Sequence, residues 1–249
     1  MHSLTAALVL LLFSTTFAQD SLPAIEPYVE EATKKWEKEI VKLETRNGQE
    51  SHADDSVLFI GSSSIRLWKT IEEDVAPYHP IRRGYGGAKF SDVAVYARRL
   101  IYPHKYRALV MFVANDVQGK DNDKTPDEVE PLVRHIMDVS RAHQPEAPIL
   151  IIEVTPTSSR FKTWKEIRAL NVRLREIALT TPHTYFVATA EHYLRPNGTP
   201  RDELFVKDLL HLNREGYRIW ANLVRRRLDE VLRLETLAKV SPTTSANAE

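Results

Sequence analysis

The sequence predicts an α/β protein: a three-layer αβα sandwich whose central, mostly parallel sheet holds about five strands. Two observations carry this. Short runs rich in β-branched and aromatic residues recur as VLFI (57–60), PIRRG (80–84), ALVMFV (108–113), PILIIEV (148–154) and TYFVA (184–188), and helical patterns separate them, most clearly at 126–143 and 164–180. The runs are nearly continuous in apolar side chains, the pattern of strands buried on both faces, and strands joined through helices lie parallel.

In order along the chain, MHSLTAALVLLLFSTTFAQD sets about ten apolar residues before a polar stretch and a small-residue site at Ala18. Residues 1–18 are therefore expected to be a secretory signal peptide, with an uncleaved anchor as the alternative because His2 and the amino terminus are its only positive charge. The run is too short to span a bilayer comfortably. Residues 19–56 follow as an amphipathic helix and a connector. Val29, Ala32, Trp36, Ile40 and Leu43 recur three or four apart among Glu and Lys, and NGQESHADDS (47–56) breaks the pattern. The main α/β domain is expected over 57–236, and 237–249, ending VSPTTSANAE, as a flexible tail.

Inside that domain the helix at 126–143 has a start signal. Thr125 stands as N-cap, Pro126 at the first helical position and Glu128 two further on, a capping box. That role also accounts for the acidic cluster Asp121, Asp123 and Asp127 without a calcium loop, which would need a glycine and a later glutamate in register. Asn213 is expected to cap the last helix, roughly 214–234.

Composition narrows the chemistry. Thirty-four basic side chains balance thirty-four acidic ones, so no global field favours nucleic acid or an anionic membrane, and Arg225, Arg226 and Arg227 fit a solvated helix face. The absence of cysteine excludes disulfides, thiolate metal sites and a cysteine nucleophile. No His, Asp or Glu cluster has metal-ligand spacing, and neither glycine-rich stretch continues as a phosphate or dinucleotide loop, so neither metal nor cofactor is expected.

In a parallel sheet ligands bind beyond the carboxyl ends of the strands. Gly61, Ser62, Ser63 and Ser64 follow the first strand, RRGYGGAKF with Gly84, Gly86 and Gly87 the second, Asn115 and Asp116 the third, and DLLHLN with Asp208 and His211 precedes the last helix. Each has an ordinary explanation as a cap, a turn or a surface residue. Together, at one edge of one sheet, they supply the parts of an acyl-transfer site: a hydroxyl, a base, a carboxylate to orient it, and oxyanion donors. A nucleophile elbow is excluded, because Ile65 stands where its second glycine would be.

At these blocks the sequence resembles the SGNH (GDSL-type) hydrolases, in order and along nearly the whole mature chain. The WEKEI helix and the wording GSSSIRLW resemble a bacterial exported subgroup. The resemblance implies a flavodoxin-like SGNH hydrolase fold and carboxylic ester hydrolysis without a cofactor. It implies Ser63 as nucleophile, with Ser62 replacing the family's aspartate, Asp208 and His211 as the Asp-x-x-His pair, and an oxyanion hole from the Ser63 and Gly87 backbone N–H groups and the Asn115 amide. The sequence departs from the family at Val113, in place of a glycine, and Arg82, in place of an asparagine. Asp208 and His211, three apart, are expected on one helical turn.

The expected substrate is a small-molecule or glycan ester, with acetyl or other short acyl groups on a carbohydrate or lipid. The expected location is periplasmic or extracellular, with no nucleic-acid partner and no stable membrane span after signal cleavage. Arg160, Phe161 and Trp164, after the fourth strand, are candidate substrate contacts; surface exposure accounts for them nearly as well. The alternative function is a non-catalytic module of the same fold that holds an acylated glycan or lipid, since fold alone does not imply activity.

Overall fold

The computed structural model describes residues 25–240. The expected leader, 1–18, and residues 241–249 of the expected tail lie outside the described residues. Five strands, β1 (Val57–Gly61), β2 (Pro80–Gly84), β3 (Ala108–Phe112), β4 (Ile149–Ile152) and β5 (Thr184–Val187), form one parallel sheet in the order β2-β1-β3-β4-β5. Among the described residues seven α-helices accompany them: α1 (Glu26–Asn47), α2 (Ser63–Leu67), α3 (Ile71–Asp74), α4 (Phe90–Ile101), α5 (Pro126–His143), α6 (Trp164–Thr180) and α7 (Arg214–Val240).

The strands are apolar throughout because alternate side chains enter two cores. Leu58, Ile60, Leu109, Met111, Ile149 and Ile151 pack with α1, α4, α5 and α6. Val57, Phe59, Val110, Leu150 and Ile152 face the other side, against Trp220, Val224, Leu228 and Val231 of α7. The chain moves outward from β1 to β2 and then returns to β3, so the connections leaving β1 and β3 diverge. Such a switch point opens a crevice at the carboxyl end of the sheet.

α1 belongs to the first core through Ala32, Ile40 and Leu43, with Trp36 and Tyr28 partly buried against it. Its acidic face is tied to α4, where Arg99 meets Glu37 at 2.8 Å and Glu44 at 2.7 Å. α5 starts as its sequence predicts. Glu128 N–H donates to Thr125 Oγ1 at 3.3 Å, and Thr125 N–H donates to Glu128 Oε2 at 2.8 Å. Asp123 serves the preceding loop, accepting from the backbone N–H groups of Gln118, Gly119 and Lys120.

One boundary differs from expectation. α7 begins after Asn213, whose Oδ1 accepts Gly216 N–H at 3.0 Å, but it runs to Val240 rather than 234. No proline or glycine interrupts residues 217–240, and Glu235, accepting from Tyr185 Oη at 2.6 Å, fastens the last turns to β5. α4 carries no sequence cap at Lys89; its start is held by remote and later carboxylates, Asp116 accepting Phe90 N–H and Asp92 accepting Lys89 N–H, both at 2.8 Å. Among the described residues no helix is long and apolar enough to cross a membrane.

Candidate active site

The site begins with a glycine. Gly61 ends β1 at φ +135°, and a Cβ there would lie 1.9 Å from the Phe112 carbonyl oxygen of β3. Only a residue without a side chain lets the two strands approach this closely while the chain turns out of the sheet. Ser62 follows, buried, with its N–H on Phe112 O at 3.0 Å. Ser63 then opens α2, half-buried.

Ser63 Oγ lies 2.9 Å from His211 Nε2, and His211 Nδ1 lies 2.6 Å from Asp208 Oδ2. Side chains 148 positions apart in sequence are thus within hydrogen-bonding reach. An ionised carboxylate only accepts, so Nδ1 holds the imidazole proton and Nε2 is free to take the serine proton. Asp208 and His211 do not share a helical turn, contrary to the expectation from their spacing. Leu209 between them is left-handed at φ +53°, and Asp208 Oδ1 accepts the N–H groups of Leu210 and His211, each at 2.9 Å. The aspartate side chain takes the bonds a helix would give to backbone carbonyls, and it folds its own turn. Burial pushes the Asp208 carboxyl up, but the bonds from the His211 ring and the two backbone N–H groups outweigh it and hold its pKa below the ordinary value.

The expected oxyanion donors Gly87 and Asn115 follow β2 and β3. Asn115 is buried, its Nδ2 donating to Ala88 O at 3.0 Å, and the space a Gly87 side chain would occupy lies 3.9 Å from that nitrogen. Gly86 sets the loop's course, since a Cβ on it would fall 2.1 Å from the Trp36 ring of α1. Asn115→Ala is expected to lower kcat by roughly 10²–10³ with the fold retained, as loss of one oxyanion donor does; steady-state kinetics and a melting curve check both halves of this.

Asp116, fully buried, supports the same loop through Phe90 N–H, while its Oδ1 meets no partner among the described residues. Burial raises its pKa to about 6, against the bond from Phe90. Between the ordinary carboxylate range and pH 6 the native state therefore binds a proton that the unfolded chain releases, and stability falls as pH rises through that window. Asp116→Asn is expected to flatten this slope, measured by urea unfolding at pH 4.5, 5.5 and 7.

A small cavity of about 30 Å³ opens on Ser63, bounded by Phe112, Ala114, Asn115, Val154, Thr155, Thr157, Ile167 and Leu210. Arg160 borders it as well, donating to Asn115 Oδ1 at 2.7 Å and to Ala114 O. Phe161 and Trp164 are not among the residues that line it; Trp164 faces a separate groove with Arg168 and Phe186. The structure thus separates the three candidate substrate contacts and leaves only Arg160 at the site. Val113 is buried in the core on the far side of β3 and does not line the cavity, so its side chain leaves the cleft open. Arg82 caps α2 by donating to the carbonyls of Arg66 and Trp68 at 3.0 and 2.9 Å. Thr155 and Thr157 belong, with Arg160, to the segment 155–164, which follows β4 at the same sheet edge as the other blocks and from which the sequence leads one to expect a wall of the cleft.

Ser63, His211 and Asp208, joined in one hydrogen-bonded chain at the carboxyl edge of the sheet, supply the parts of an acyl-transfer site. The chain matches the GDSL-like Lipase/Acylhydrolase family over residues 59–219, and it belongs to that family of ester hydrolases. Solved structures share the architecture. A GDSL-like lipase from Bacteroides thetaiotaomicron VPI-5482 is 18% identical, with TM-score 0.65, over 77% of this chain and 97% of that one. A carbohydrate esterase family 3 protein from Talaromyces cellulolyticus is 14% identical, with TM-score 0.56, over 72% and 98%. An acetyl xylan esterase is 19% identical, with TM-score 0.58, over 70% and 99%. At these identities the likeness is one of fold. No curated protein matches the sequence.

Proposed function

We propose that this chain is an exported esterase that removes acetyl and other short acyl groups from an alcohol, most readily a carbohydrate hydroxyl, through an acyl-enzyme on Ser63. The observation that carries the chemistry is the continuous bonding from Ser63 Oγ through His211 to Asp208. Ser63 attacks the ester carbonyl as His211 takes its proton; the tetrahedral oxyanion is held by the Ser63 and Gly87 N–H groups and the Asn115 amide. Collapse expels the alcohol with the proton from His211. Water, deprotonated by the same ring, then releases the acid.

The acyl preference is supported by the cavity. A volume of about 30 Å³ exceeds the roughly 10–15 Å³ that one water needs, yet it falls far short of a long alkyl chain. The carbohydrate preference is supported by the two neighbours described as a carbohydrate esterase and an acetyl xylan esterase. Export is supported by the leader-like residues 1–18.

A p-nitrophenyl ester series tests the acyl reading. kcat/KM is expected to fall at least about tenfold between the two-carbon and eight-carbon acyl groups, since added methylenes find no room; a rise with chain length would overturn it. Acetylated oligosaccharides, with released acetate as the readout, test the alcohol. Secretion of the full chain with loss of residues 1–18, read by mass spectrometry of the exported product, tests the location.

A further inference from the structure

An oxyanion-hole asparagine works in one orientation. Its Nδ2 donates, and its Oδ1, turned the same way, would repel the developing charge. The two orientations differ little in shape, so the partners of the amide decide between them. Here the oxygen faces Arg160 Nη2 at 2.7 Å and the nitrogen faces Ala88 O at 3.0 Å. A guanidinium carries donors only, so the first contact is satisfied solely with Oδ1 toward Arg160. One Nδ2 proton then serves Ala88 O, and the other is left for the side of the cavity beside Gly87.

We propose that Arg160 is the positioning residue of the oxyanion hole, locking the Asn115 amide with its donor toward the reacting carbonyl. This deepens the acyl-transfer reading and rests on it.

The rest of the contact set is built for such a lock. Arg160 Nη1 donates to the carbonyl of Ala114, the residue next to Asn115, so the guanidinium is referenced to the very backbone that carries the amide. Gln118 Nε2 donates to Asn115 O at 2.7 Å, and Gln118 Oε1 lies 3.5 Å from Arg160 Nη2, closing the frame from the other side. The neighbouring Ser159 N–H donates to Leu209 O at 3.2 Å, inside the turn that presents His211. Adjacent residues of one short segment thus hold the oxyanion half and the base half of the site.

All of Arg160's hydrogen-bond acceptors are neutral oxygens, and among the described residues the carboxylate that acts on it, Asp123, does so through its field and not through a salt bridge. A positive charge behind the amide polarises its N–H groups and becomes more favourable as the oxyanion forms, whereas a direct ion pair would cancel more of that field. A residue that only held the loop would serve equally well paired to a carboxylate.

A substrate contact and a positioning residue separate in kinetics. With p-nitrophenyl acetate and 1-naphthyl acetate as probes, Arg160→Met is expected to lower kcat by about 10–10² on both esters, with KM within about twofold. Arg160→Lys, which keeps the charge and one donor, is expected to recover part of that loss. In the Asn115→Ala background, Arg160→Met is expected to cost no more than about twofold further, because the group it positions is gone. An increase in KM at unchanged kcat, or the full Arg160→Met loss on top of Asn115→Ala, would overturn the proposal. If Arg160→Met fails to fold by thermal melt, Arg160→Lys with and without Asn115→Ala runs the same comparison. A wild-type protein inert toward both esters and toward a fluorophosphonate probe would instead bring down the acyl-transfer reading, and this one with it.

Discussion

Ser63→Ala is expected to abolish ester hydrolysis, lowering kcat by about 10⁵–10⁶, the scale seen when the nucleophile of a triad is removed. His211→Ala should cost about as much. The double variant should be scarcely worse than either alone, because the three side chains act as one unit. The fold should be untouched, since among the described residues Ser63 Oγ bonds only to His211. Two measurements check this: initial rates on an aryl acetate, and the mass of the protein after a fluorophosphonate probe, with the adduct expected on Ser63 alone. Ser62 and Ser64 remain in both variants, so a labelled Ser63→Ala protein would move the nucleophile to another residue.

Gly61→Ala is expected to have the largest effect on stability, more than about 4 kcal/mol, the range in which single substitutions are exceptional. Two independent costs coincide there. φ of +135° is a conformation that residues with a Cβ rarely adopt, and the added methyl would sit 1.9 Å from Phe112 O and 2.8 Å from Phe112 C. Neither atom belongs to a side chain that could swing away, so β1 would have to part from β3. Those strands carry Ser63 and Asn115 at their ends, and any protein that still folds should also lose turnover. Urea unfolding of wild type and variant, with circular dichroism as the probe, measures the first effect.

The sheet was legible because its five runs had to be apolar on both faces, and each lies within two residues of the expected ends. Ser63, Asp208, His211, Asn115 and Gly87 were expected together from the strand-end blocks and the family resemblance; the structure brings Ser63, His211 and Asp208 into hydrogen-bonding reach and sets Gly87 beside Asn115. The remainder depended on contacts remote in sequence. Phe90 is capped by Asp116, 26 positions later, and no local pattern announces such a cap. The turn at 208–211 looked helical from spacing alone; it is an aspartate turn because Oδ1 competes successfully for the Leu210 and His211 N–H groups. Arg160 was placed at the cleft but read as reaching for substrate, since a sequence cannot show that its guanidinium donates to the Ala114 carbonyl and the Asn115 amide.

One carboxylate has two duties at that turn. Asp208 Oδ1 shapes the loop while Oδ2 fixes the imidazole. Its folded pKa is depressed, so this contribution is present above the ordinary carboxylate value and disappears as pH falls through the folded one. Loss of the imidazole's orienting partner and local melting of the turn are therefore a single event in this protein: the proton that takes Oδ2 from His211 also releases the hinge on which His211 is mounted.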